Sequence, residues 1–213
     1  MLESMQARFG HEAAAEMAIP SYLHRNPVLR WMAIRRLDVV ADWLCEDLGP
    51  EARVLDFGCG TGVLLPVACG RAREVFATDL ELGPASMLVE HCGLTNARML
   101  EPARLSEIEP GSLDAIVAAE VLEHIEELEP VFATFRRLLA PDGRLIVSLP
   151  TENALYRAGR RLAGFSGEYH VGDAANVHRA LETSGFRTRR CSALPLPGPF
   201  AIYWVVEYGA PQP

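Results

Sequence analysis

Long apolar runs are missing from the 213 residues: none approaches the roughly 20 needed to cross a bilayer, so no segment reads as a transmembrane span. Cysteine is scarce. The five, at 45, 59, 69, 92 and 191, are odd in number and show no C-x-x-C pair, which argues against a disulfide framework or a thiolate zinc site. The opening MLESMQARFG carries Glu3 and no apolar stretch, so it does not read as a secretory signal, and a cytoplasmic protein is expected. Positive charge is in deficit, with 20 Lys+Arg against 28 Asp+Glu and a net charge of −8. That balance argues against non-specific affinity for polyanions, and a nucleic-acid partner is not expected. What is present is ordinary for a folded domain: 49% hydrophobic and 23% charged residues. The length predicts one domain, with residues 1–50 as an N-terminal helical cover and 51–213 as the main body.

From about residue 53 to about residue 185, strand-like and helix-like stretches alternate. RVLDF, EVFAT, ARML, LDAIVA and RLIVSL are short and apolar, as strands covered on both faces are. Between them, Pro84 and Gly93 bracket a helix over 85–92. A second helix opens at Pro130, carries Val131, Phe135, Leu138 and Leu139, and ends at Pro141-Asp142-Gly143. A third is capped by Asp173, with Val177, Ala180 and Leu181 on its apolar face and Gly185 closing it. Residues 1–50 read as helical, with Ile34, Leu37, Ala41, Leu44 and Leu48 in one stripe, and 186–193 with 200–208 as a terminal hairpin. The fold class expected is α/β: a three-layer, doubly wound, Rossmann-like, mostly parallel sheet with a C-terminal antiparallel strand and an N-terminal helical cover.

The strongest local signal is VLDFGCGTG at 54–62, a strand running into a loop with glycine at every second position. Glycine tolerates positive φ and lets backbone approach a ligand closely. The spacing is not the G-x-G-x-x-G of dinucleotide folds, and Asp56 stands two residues before the first glycine, where it repels a pyrophosphate and suits a cation. Asp79 ends the next strand and is placed to take both hydroxyls of a ribose. These residues resemble the class I S-adenosylmethionine-dependent methyltransferases. VLDFGCGTG is similar to their first motif, FATDL to the second and SLDAIVAAEVLEHI to the fourth, with GRLIVSLP at the fifth strand, over roughly residues 50–190. The resemblance implies S-adenosyl-L-methionine as cofactor. Gly58, Cys59, Gly60 and Gly62 would lie against its methionine part, Asp56 near its amino group, Asp79 on the ribose and Leu80 against the adenine. Glu101 stands where the family often has an acid near the adenine amine, and Glu120 is counted at the same cofactor rim.

After the fourth strand, Glu120, Glu123 and His124 follow in AAEVLEHIEE; as a helical turn they would share one face at the carboxyl ends of the strands. His170 lies beyond the fifth strand and its connection could fold over the same rim. Three readings stay open. Glu123 and His124 orient the loop; or His124 or His170 is a general base; or the four hold a divalent metal that lowers a hydroxyl's pKa. The last arrangement is similar to two branches, the ubiquinone-pathway O-methyltransferases and the small-RNA 2′-O-methyltransferases.

Residues 154–163 put Leu155, Ala158, Gly159 and Leu162 opposite Arg157, Arg160 and Arg161, either an ordinary surface helix or a peripheral membrane contact. Tyr22, His24, Arg25, Trp31 and Arg35 mark the N-terminal cover, where an arginine could pair with the cofactor's carboxylate. The activity expected is methylation of a small, partly apolar metabolite at oxygen, with Glu123, His124 and His170 as catalytic candidates. The alternatives are an RNA 2′-O-methyltransferase with a Glu/His metal site, and a catalytically silent cofactor-binding subunit.

Overall fold

The structure, a computed structural model, describes residues 22–46, 48–157 and 174–211. Strands β1 (Arg53–Phe57), β2 (Glu74–Thr78), β3 (Ala97–Leu100), β4 (Leu113–Ala119) and β5 (Leu139–Pro150) are parallel. Strand β7 (Ala201–Gly209) runs antiparallel to both β5 and β6 (Arg187–Pro195). One seven-stranded sheet results, in the order β3-β2-β1-β4-β5-β7-β6. The terminal hairpin is the one the sequence predicts.

Alternation along β1 shows why the sheet needs cover on both sides. Val54 and Leu55 are both buried, but successive side chains point to opposite faces. Val54 joins Val75, Val117 and Ile146 under helices α1 (Pro27–Cys45), α2 (Leu65–Cys69) and α3 (Gly83–Cys92). Leu55 joins Ile116, Leu145 and Val147 under α4 (Leu128–Leu138) and α5 (Ala174–Thr183), whose Phe132, Phe135 and Leu181 fill that side.

Local punctuation sets the helix ends. Gly93 caps α3 in the left-handed region at φ 63°, with Leu94 N–H reaching back to the Val89 carbonyl at 3.0 Å. Gly185 closes α5 at φ 93°, and Asp173 lies outside the described residues. Two expectations need correction. Pro141-Asp142-Gly143 does not end α4: the helix stops at Leu138, and these residues bulge out of β5, whose pairing with β4 jumps from Leu139 to Arg144. In α1 the buried face is Met32, Ala33, Arg36, Val39, Val40 and Leu44, so the stripe predicted through Ile34 is turned: Ile34 is 40% exposed and Leu48 lies past the helix end. The rotation brings Arg36 inward.

Candidate active site

All parallel strands deliver their carboxyl ends to one edge of the sheet, and the chemistry gathers there. After β1 the loop turns through Gly58, Gly60 and Gly62 at φ 75°, 52° and 75°. An added Cβ at Gly58 would stand 2.5 Å from the Val121 side chain, and one at Gly62 would stand 2.9 Å from Leu65 and 3.2 Å from Ala85. At Gly60 it would meet no protein atom within 4 Å, so the loop is open at its middle glycine. The backbone N–H groups of Gly58 and Cys59 donate to the Thr78 carbonyl at 2.8 and 3.1 Å, clamping the loop to the end of β2. Asp79 then accepts from Gly60 N–H at 2.7 Å and Glu81 N–H at 3.2 Å. A carboxylate has about four acceptor positions, so two remain for hydroxyl donors. Beside it, Leu80 is 96% exposed, an apolar side chain standing clear of the fold.

Asp56 is buried at the end of β1, and its carboxyl is pushed up to about 7, first by burial and then by the Asp79 charge. Burial foremost, with Asp56 adding, also drives the Cys59 and Cys69 thiols upward. Two acids against an open glycine loop, without a matching cation among the described residues, are a set that an ammonium or sulfonium group fits. Glu101 is exposed at the start of the short 3-10 turn Pro102–Glu107; its backbone carbonyl accepts from Arg104 N–H at 2.8 Å. Nothing in that geometry directs its carboxylate to the loop.

The second group lies after β4. Glu120 sits in the left-handed region at φ 56°, held by its N–H donating to the Ser148 carbonyl at 2.9 Å. A second glutamate, Glu152 after β5, has φ 50°. Such conformations cost a non-glycine residue of order 1 kcal/mol or more and concentrate at functional sites. The 3-10 turn Leu122–His124 then separates neighbours the sequence placed on one face: Glu123 is 1% exposed and His124 is exposed. The three do not share a face because the backbone at Glu120 is not helical. Burial, and then the Glu120 charge, hold the Glu123 carboxyl well above the usual carboxylate range. Among the described residues, neither of its oxygens has a hydrogen-bond partner beyond its own backbone N–H. His170, Arg160 and Arg161 lie outside the described residues; Arg157 is exposed.

Arg36, which the sequence reading passed over for Arg35, completes the group. It is 2% exposed, its Nε is ion-paired with Glu120, and its Nη2 lies 3.4 Å from the Tyr22 hydroxyl. Its guanidinium stands 4.8 Å from the Tyr203 ring centroid, and Tyr203 meets Tyr156 edge-on at 5.8 Å. The signal was there: 32, 33, 36, 39 and 40 are core positions of one helix face, and an arginine among them must find a buried partner. Among the described residues no group of three or more His, Cys, Asp or Glu could hold a metal ion. Another cleft, lined by Arg53, Arg73, Glu74 and Arg98, opens at the amino ends of β1 to β3; its cations are taken up by Glu74 and Glu51.

Comparison with known proteins agrees with this layout. The family described as "Methyltransferase domain" matches residues 29–190. A ubiquinone biosynthesis O-methyltransferase of Dechloromonas aromatica is 32% identical over 117 residues, 53% of this chain and 50% of that protein. The chain thus spans about half the length of the curated relatives it matches. The N-methyltransferase NodS of Bradyrhizobium japonicum, solved with S-adenosyl-l-homocysteine, superposes with a TM-score of 0.68 at 18% identity, over 94% of this chain and 97% of that one. A SAM-dependent methyltransferase from Aquifex aeolicus gives 0.67 at 18% identity, over 91% and 98%. These structural likenesses are of fold; the family match, which takes in both the glycine loop and the Glu120–Glu123 turn, shows that the chain belongs to the methyltransferase domain family.

Proposed function

We propose that the chain transfers a methyl group from S-adenosyl-L-methionine to an oxygen of a small, partly apolar acceptor. The observation that carries the reading is the buried acid at Asp56 by the loop with the open glycine Gly60, with no cation opposite it among the described residues. When bound, S-adenosylmethionine supplies an activated methyl group on a positively charged sulfur. The chain's own part is to bind and orient. Asp56 faces the ammonium end, Gly60 leaves room for close approach, and the free positions of Asp79 take ribose hydroxyls, with Leu80 against the base.

The acceptor binds at Glu123. A buried carboxylate without a partner calls for a donor, and an acceptor hydroxyl supplies one. Its raised pKa also makes Glu123 the stronger proton acceptor when the hydroxyl is alkylated. Glu123 therefore takes the general-base role expected of His124 or His170; His124 is exposed, and His170 lies outside the described residues. The name of the Dechloromonas relative supports oxygen as acceptor atom.

Calorimetric titration with S-adenosylhomocysteine, with NAD as the control ligand, tests the reading. Saturable binding of the first alone is expected. Binding of NAD instead, or of neither, overturns it.

A further inference from the structure

On that methyltransferase reading, we propose that Arg36 is the resident cation of the acceptor site, a fixed guanidinium standing where Glu120 and Glu123 would otherwise gather a divalent ion. A buried and a half-buried carboxylate side by side at the mouth of a parallel sheet make an expensive pair unless something positive lies between or beside them. Here that partner is supplied by the chain. Arg36 reaches across from α1 and pairs its Nε with Glu120. Arg36 is buried while Glu120 keeps 19% of its side chain exposed, and a guanidinium does not give up its proton in a protein, so the charge is permanent. The Tyr22 hydroxyl and the face of the Tyr203 ring hold the guanidinium in place, at 3.4 Å and 4.8 Å.

Metal binding by the same carboxylates does not fit this arrangement. A divalent ion on Glu120 would have to displace the guanidinium or sit against its like charge. It would also need further ligands, and among the described residues no group of three or more His, Cys, Asp or Glu could hold a metal ion. The backbone agrees with a preset partner. Glu120 keeps a left-handed conformation that only an over-determined side chain would hold, and the ion pair with the Ser148 bond provides that. Glu123 is left as the point open to ligand, because the ion pair of Arg36 goes to Glu120 and, among the described residues, the Glu123 oxygens have no side-chain partner. Arg36 is thus a positioning residue: its charge opposes the upward push that burial puts on the Glu120 carboxyl, and it leaves the acceptor's hydroxyl the unpartnered Glu123 to find.

The test is Mn²⁺ binding, read from the paramagnetic resonance of free Mn²⁺, for the wild type, Arg36→Lys, Arg36→Met and Glu123→Gln, each loaded with S-adenosylhomocysteine. The wild type and Arg36→Lys are expected to show no Mn²⁺ binding that depends on Glu123. Arg36→Met is expected to bind Mn²⁺ at least about tenfold more tightly than the wild type, and adding Glu123→Gln abolishes the gain. Stoichiometric Mn²⁺ binding by the wild type that is lost in Glu123→Gln overturns the proposal, as does a folded Arg36→Met that gains nothing. Where Arg36→Met does not fold, the wild type and Glu123→Gln decide alone. Failure of the wild type to bind S-adenosylhomocysteine overturns the methyltransferase reading instead, and the Mn²⁺ titration of the unloaded protein still decides the role of Arg36.

Discussion

Asp56 ties the site to pH. Its folded pKa of about 7 lies above the unfolded value near 3.9, so the folded protein holds the proton longer. That contribution favours folding fully below about pH 4 and is lost as pH rises through about 7. In the ligand-free protein, Asp56→Asn is therefore expected to raise stability by on the order of 2 kcal/mol at pH about 8 and hardly at pH about 4, read from urea midpoints. The same change should weaken S-adenosylmethionine binding by about tenfold or more, because the ammonium end loses its charged partner. Glu123→Gln keeps the shape of a buried side chain and removes its basicity. Methyl transfer is expected to fall by about 10²–10⁴ with the affinity for S-adenosylhomocysteine unchanged, and calorimetry with single-turnover kinetics checks both. That Asp56, Asp79 and the loop glycines meet was legible, because each stands at the carboxyl end of a strand whose spacing along the chain is plain. Arg36 was not, because its meaning depends on a carboxylate 84 positions away that only the fold brings to it.

Within the elements, two glycines of one loop separate packing from conformation. Gly58→Ala puts a methyl group into Val121 and is expected to cost about 2–3 kcal/mol of stability. Gly60→Ala meets no protein atom, so it should cost only about 1–2 kcal/mol for its left-handed backbone, yet lose S-adenosylhomocysteine affinity. Thermal melts with and without ligand distinguish the two. Helix ends marked by proline and glycine were readable, as Pro84 and Gly93 show. The α1 stripe was not, since apolar counting sets an arginine outside and here it lies inside. The bulge at 141–143 was also hidden, because Pro-Asp-Gly signals a break and does not say whether the break falls between elements or within a strand.

At the scale of the whole molecule, charge also fastens the cover to the sheet. Buried Glu207 on β7 lies 3.7 Å from Arg144 on β5 and 2.8 Å from Arg190 on β6, and Arg144 donates to the Leu44 carbonyl at the end of α1 at 2.9 Å. Arg190 in turn stacks on Trp43 at 4.2 Å. Glu207→Ala removes the buried carboxylate that Arg144 and Arg190 share and is expected to destabilise the fold by about 3–5 kcal/mol, measured by urea denaturation. The sheet order shows a further dependence. Strand β7 comes last in sequence of the seven yet lies between β5 and β6. On the ribosome, β6 emerges before the strand it pairs with, and β5 has a neighbour on one side alone. A nascent chain stopped near residue 200 would carry the whole glycine loop with Asp56 and Glu123 and an unfinished sheet behind them, so the setting of Arg36 against Tyr203 is complete only once residues 201–209 have been made.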